Sequence, residues 1–419
     1  MSVARRALAP LLAAALGVVA ATAAAPRGLA VSTVYVGPGG GSGGCAAPAH
    51  ATIDGAIAAA TSGDTIHVCA GTYTQATNAL TGTLRIEGDG IGQTIVESDG
   101  STNRAFTIPG DASNVITIAD LTIRDITTDD VGAGIYAGGA STLTVERVRF
   151  SVLETNGFAG GALFADGVTL TIRDSQFVGN RANGDAAVHC QDVCDVEVSG
   201  TLFTDNVATS NPASALFVYD GTVEVWNSTF INNTGPEMQL AISSAVLRNV
   251  TMLSQGSGIL ITPGEGSVEI HESIIAGRES PMAPPATWHG ANLASHPADG
   301  ASLHATWAQI VGGETPAITT VGDTQVFALF DGHPAAGAGD NAECAAAPVS
   351  GVDQTGAARP QGADCDLGAY ETAYVAAALP PTSAPSSPLV DALTVALLAL
   401  AALVAAEGAL RGVGTTLRG

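Results

Sequence analysis

The chain has 419 residues, 46% of them hydrophobic and only 5% aromatic, with 51 Gly, no Lys and a formal net charge of −24. That balance excludes the basic footprint of a nucleic-acid binder and repels polyanionic ligands. The length allows two or three ordinary domains, or one long repetitive one.

Residues 1–30 read as an export signal: Arg5 and Arg6 begin it, Ala7 to Ala25 is its apolar core, and Gly28-Leu-Ala30 is the small-residue cleavage site. An exported chain with an even number of cysteines argues for disulfides. The six cysteines fall as close-set pairs: Cys45 with Cys69, Cys190 with Cys194, and Cys344 with Cys365. Local pairing is the expectation. Metal binding is the rival for Cys190 and Cys194, beside His189, but their spacing is not a zinc signature.

Thr52-Ile-Asp-Gly-Ala-Ile-Ala-Ala-Ala60 predicts a short helix with Thr52 as N-cap. The run Ser62 to Val68 turns into a strand, and strands follow at Leu84 to Ile86 and Phe106 to Ile108. From Ile116 to Ile275 one eight-residue pattern recurs: apolar, x, apolar, x, x, small or apolar, x, apolar. Its copies begin at Ile116, Leu143, Leu170, Val196, Val223, Ala245 and Val268, spaced by 27, 27, 26, 27, 22 and 23 residues. Such a period means stacked units, none able to bury its apolar face alone. Within a copy, as in Val223-Glu224-Val225, apolar and polar residues alternate with period two, and β-branched residues and Phe dominate. Both features specify strands. A second short strand recurs between copies, as at Ala162-Leu-Phe164-Ala and Ala187-Val-His189-Cys. The prediction is an all-β solenoid of parallel sheets. The helix at residue 52 is placed as the lid that an open end of unpaired strands needs.

Two corner ladders are expected. Asn180, Asn206 and Asn233 each lie three residues after Phe177, Phe203 and Phe230. Asn tolerates a left-handed corner, and its amides can hydrogen-bond along a column. Asp166, Asp192 and Asp220 end the second strands. Turn geometry is the favoured reading for them, and a calcium column is the rival, because stacked carboxylates repel unless neutralised. No other cofactor is expected.

The run Thr52-Ile, Ala56-Ile57, Gly63-Asp-Thr-Ile66 and Gly71-Thr-Tyr73 resembles the start of right-handed parallel β-helix proteins of the pectin-lyase-like superfamily. The later copies resemble the polymorphic outer-membrane-type repeats of that group. The resemblance covers residues 46–280 and implies a right-handed parallel β-helix. It is poor for function, since that fold hosts lyases, hydrolases and non-enzymatic surface proteins.

Further on, His333-Pro-Ala-Ala-Gly-Ala-Gly-Asp340 and Asp353-Gln-Thr-Gly, Arg359-Pro and Asp366-Leu-Gly-Ala-Tyr-Glu371 resemble the closing segment of choice-of-anchor Q surface proteins. The match departs at His333, where that family has Ser, and at Thr355, where it has Arg. The residues suggest that Asp353, Arg359 and Asp366 pair and close the far end of the rod. Pro- and Ser-rich residues 377–388 read as an extended linker. Residues 389–406 are an apolar run near the lower limit for a membrane span. Arg411 and Arg418 place the tail in the cytoplasm. The expected division is signal peptide 1–30, capped β-helix 31–285, end of the rod with closing segment 286–376, linker 377–388, transmembrane anchor 389–406 and tail 407–419.

The expectation is therefore a monomeric, extracellular, surface-anchored rod that binds carbohydrate or another cell-surface ligand. The alternative is a polysaccharide lyase or glycoside hydrolase. Its residues would be the carboxylate pair Asp129 and Asp130, with Asp125 near it and Arg124 as the cation. Inverting glycosidases place two such carboxyl groups about 6.5–9.5 Å apart.

Overall fold

The computed structural model describes residues 32–37, 44–74, 76, 78–185, 187–210, 213–254, 259–261, 266–278, 286–297 and 300–372. The expected signal peptide, linker, membrane span and tail lie outside these described residues.

The repeat is a stack of parallel strands in strict register. Ile116, Leu143, Leu170, Val196, Val223, Ala245 and Val268 are successive partners in one column. Leu84 extends it at one end and Ala286 at the other. Two residues on, Ile118, Val145, Ile172, Val198, Val225, Leu247 and Ile270 form a second column, all fully buried. A second sheet turns off the first, through strands such as Gln176–Val178, Leu202–Thr204 and Thr229–Ile231. A third carries Leu163–Asp166 and Val188–Gln191. The three sheets enclose one continuous apolar core.

The closing Phe of each copy stacks on the next. Phe150, Phe177, Phe203 and Phe230 lie with ring centroids 4.6, 4.8 and 4.7 Å apart and planes within 7° of parallel. The spacing follows from the rise between paired strands, roughly 4.8 Å. Tyr136, Phe164, His189 and Phe217 make a second stack on the third sheet.

The expected Asn column exists and is buried. Asn206 Oδ1 accepts from both the backbone N–H and the Nδ2 of Asn180, each at 3.0 Å. Asn233 Oδ1 does the same for Asn206 at 2.9 and 2.8 Å. Each Nδ2 also reaches a carbonyl of an adjacent coil: Phe150, Phe177 and Phe203 in turn. The residues that adopt the left-handed backbone are instead their predecessors, Gly179, Asp205 and Asn232. That frees the Asn side chains to point inward and bond along the axis.

A hydroxyl ladder that the sequence reading did not foresee occupies the sixth position of the pattern. Ser175, Thr201 and Ser228 each donate to the carbonyl two residues back and accept an N–H from the preceding coil. A small polar residue there satisfies backbone groups that the sharp corner removes from the sheet. The corner itself is the fifth position. Asp120, Arg147, Asp174, Gly200, Asn227, Asn249 and Glu272 all have φ between 48° and 58°.

The lid forms as expected. Helix Ile53–Ala59 buries Ile53, Ala56 and Ile57, and Thr52 Oγ1 accepts from Gly55 N at 3.1 Å. All three local disulfides form: Cys45–Cys69, Cys190–Cys194 and Cys344–Cys365.

The closing segment departs from expectation, for it runs back along the side of the rod. Its Phe327, Leu329, Ala335 and Leu367 pack with Leu202, Ile231, Leu253 and Ile274, which project outward from the second sheet yet are buried. Gln354 Oε1 accepts from Thr229 Oγ1 at 2.5 Å, and Gln176 Nε2 reaches Asp323 O at 2.8 Å. Within the segment Arg359 is buried, and its charge partner is Glu371 at 3.2 Å, not Asp353 or Asp366. Those two carboxylates accept backbone N–H groups: Asp353 from Thr355, Ala357 and Glu371, and Asp366 from Gly337 and Thr372. A carboxylate can replace missing backbone partners wherever a loop is too irregular for a sheet. His333, one of the two departures from the family pattern, donates to Ile310 O at 2.7 Å.

Asn206→Ala should leave the buried backbone N–H of Asn180 without its partner and take one bond each from Asn180 Nδ2 and Asn233 Oδ1. The expected loss is about 2 kcal/mol, read as a lower urea midpoint at an unchanged m-value. The Asn column ends on Glu237, fully buried and bonded by Asn233 Nδ2. Burial, aided by the Asp205 charge and opposed by that bond, pushes the Glu237 carboxyl up to about 8 from 4.5. The folded chain therefore holds this proton more tightly than the unfolded one. Its stabilising contribution is complete below about pH 4.5 and lost as pH rises through about 8. Denaturation across that window should show stability falling with pH, and Glu237→Gln should flatten the slope.

Candidate functional site

The acidic residues singled out from the sequence are each held by a separate partner. Arg124 sits on the second sheet, where its Nη2 pairs with Glu97 Oε2 at 3.0 Å and its Nε with Asp125 Oδ2 at 3.3 Å. Asp129 accepts from Asn156 Nδ2 at 2.9 Å. Asp130 is bound by Arg104 and by the Val131 N–H. Burial raises the Asp130 carboxyl, but these two donors outweigh it and hold it below the usual carboxylate range. A general acid needs the opposite shift. Each of the three carboxylates is thus held by a different partner.

Asp166, Asp192 and Asp220 are near neighbours on one edge, although register pairs Asp166 with Gln191. A hydrogen bond with Asp166, then slight desolvation and the charges of Asp166 and Asp220, push the Asp192 carboxyl up. Asp192 and Asp220 adopt the left-handed backbone of the turn. Among the described residues, only two groups bring three ligating atoms within 4.8 Å of one another: Cys45, His67 and Cys69, and Glu269, His271 and His289. The first has its sulfurs in a disulfide.

A groove of about 480 Å³ opens where the closing segment leans against the rod. Its floor is the corner column, with Asp120, Arg147 and Asp174 in consecutive coils. The loop at Asp89 to Gln93 forms one wall, and Asp323, Thr324 and Gln354 to Gly356 form the other. Stacking places Arg147 between two carboxylates, and alternation of sign is what a column of charges requires. Arg147 grips Asp120 with two bonds, Nε to Oδ1 at 2.6 Å and Nη2 to Oδ2 at 2.9 Å. That bond to Asp120 raises the Arg147 guanidinium further above its ordinary value, against the effect of burial. Asp174 has no such grip. Its Oδ1 projects over Gly200, where any Cβ would lie 2.3 Å from it. Desolvation in the groove pushes the Asp174 carboxyl up against the pull of Arg147.

The sequence reading missed this groove for a definable reason. Asp120, Arg147 and Asp174 occupy the fifth, unspecified position of the pattern, and the wall lies 147 residues further along the chain from Gln176. The available signal was the apolar character of outward positions such as Ile231 and Leu253, which something had to cover.

A family model described as "Right handed beta helix region" matches residues 56–234 and 110–281. The crystal structure of pectate lyase Pel9A is similar at 15% identity with a TM-score of 0.47, over 82% of this chain and 97% of that one. No curated protein matches.

Proposed function

This chain belongs to the right-handed β-helix family, and from that premise we propose that it is a surface-anchored extracellular rod that binds carbohydrate without turning it over. The observation that carries this reading is that Asp125, Asp129 and Asp130 are each committed to a different partner. In place of a catalytic cluster the rod offers an open polar groove. Its amides, hydroxyls and the Asp120–Arg147 pair supply the donors and acceptors that sugar hydroxyls need. Carboxylates Asp89, Asp120, Asp174 and Asp323 outnumber the single Arg147 there, which favours neutral glycans over acidic ones. Three disulfides suit an oxidising exterior. The resemblance of residues 325–371 to anchor-associated closing segments, with the apolar run 389–406, supports attachment to the membrane.

One observation favours a second reading, a polysaccharide lyase or glycoside hydrolase. Asp174 carries a raised carboxyl in the groove, two coils from Asp120, or roughly 9.6 Å between their backbones at the rise of paired strands. A raised acid facing an ionised carboxylate is the pairing that glycosidases use.

A glycan array probed with the full chain, followed by product analysis of each bound glycan, tests both. Binding to neutral glycans, weakened about tenfold or more by Asp120→Ala/Arg147→Ala and unaccompanied by products, is the expected result. Product release abolished by Asp174→Asn would replace it with the second reading.

A further inference from the structure

The last coils carry a cluster unrelated to the groove. Strands Ser267–His271 and Ala286–His289 pair in parallel, with His271 opposite His289. Val268 and Ile270 face the core, so alternation sends Glu269 and His271 outward on one face. The two imidazoles stack with centroids 4.5 Å apart. Glu269 Oε2 lies 3.9 Å from His271 Nε2 and 3.9 Å from His289 Nε2. One ligating atom from each of the three residues falls within 4.8 Å of the others. A point equidistant from three such atoms is roughly 2.3–2.5 Å from each, against the 2.0–2.2 Å or so of zinc–nitrogen and zinc–oxygen bonds. Rotations of a few tenths of an ångström in half-exposed side chains close that difference.

His271 supplies the second observation. Both of its ring nitrogens are buried and neither has a hydrogen-bond partner among the described residues. Native interiors seldom leave such atoms unsatisfied, and one that is calls for an explanation. With Nε2 directed at Glu269 and His289, Nδ1 is directed at Glu343 Oε2, 3.8 Å away. Metal-binding histidines commonly turn their second ring nitrogen toward a carboxylate that orients the ring. Glu343 stands on helix Asn341–Ala345 of the closing segment and also lies 4.0 Å from Arg248, the neighbour of His271 on the preceding coil.

We propose that Glu269, His271 and His289 form a binding site for a divalent transition-metal ion of the zinc class, with Glu343 as a positioning residue. Two imidazoles and one carboxylate suit zinc, copper or nickel and not calcium, which takes oxygen ligands. Glu269 and His289 are 51% and 44% exposed, so the ion would keep a position open to water. Binding would also tie the final coils to the closing segment through Glu343.

The test is zinc titration by calorimetry on the full chain, stripped with chelator, with calcium as control. One zinc per chain is expected, together with a higher melting temperature that chelator reverses. His289→Ala and Glu269→Gln, both at half-exposed positions, should each lower affinity about tenfold or more while leaving the far-ultraviolet circular dichroism unchanged. Glu343→Gln should weaken affinity without changing the stoichiometry. Cobalt in place of zinc should give visible d–d bands that are lost in His289→Ala. No zinc binding, or binding unchanged in both His289→Ala and Glu269→Gln, would overturn the assignment.

Discussion

Every level of this molecule answers to one constraint: a residue must tolerate its own counterpart about 4.8 Å above and below it. Parallel strands in register leave no choice of neighbour. Apolar side chains meet the condition easily, and the four stacked Phe rings do so with planes nearly parallel. Asn meets it because an amide is donor at one end and acceptor at the other, so a column can bond to itself. Ser and Thr meet it by giving a proton to their own strand and taking one from the preceding coil.

Charges meet the constraint by alternation or beside an uncharged neighbour. Arg147 between Asp120 and Asp174 is alternation, and it builds the floor of the groove. Asp166, Asp192 and Asp220 come closest to an unrelieved acidic column, and there the Asp192 carboxyl is pushed toward its neutral form. Asp129 and Asp130 meet uncharged or opposite neighbours one coil away, Asn156 and Arg104. The proposed binding face is therefore a by-product of column chemistry. It lies where alternating charge meets a wall supplied by a distant segment.

That segment changes the meaning of the C-terminal region. Packed along the flank, it turns outward apolar residues of the second sheet into a second core. Its buried Arg359–Glu371 pair and the carboxylates that take up loose N–H groups give an irregular chain a definite shape. Buried ions of this kind are weak evidence of net stability but costly to break singly. The same segment brings Gln354 to the groove and Glu343 to the histidines, so both candidate sites depend on it.

The repeat spacing and the alternation within each copy were enough to predict strands, parallel stacking, the buried columns and the Asn ladder, while the run from Thr52 to Ala60 predicted the capping helix and the closeness of the cysteines their pairing. These are near-neighbour consequences: each follows from what one coil does to the next, and a period in the sequence encodes that directly. The groove, the true partner of Arg359 and the cluster at His271 were decided by the tertiary structure alone. Asp120 meets Gln354, and His271 meets Glu343, only because the closing segment folds back along the rod. No periodic pattern records a contact that occurs once.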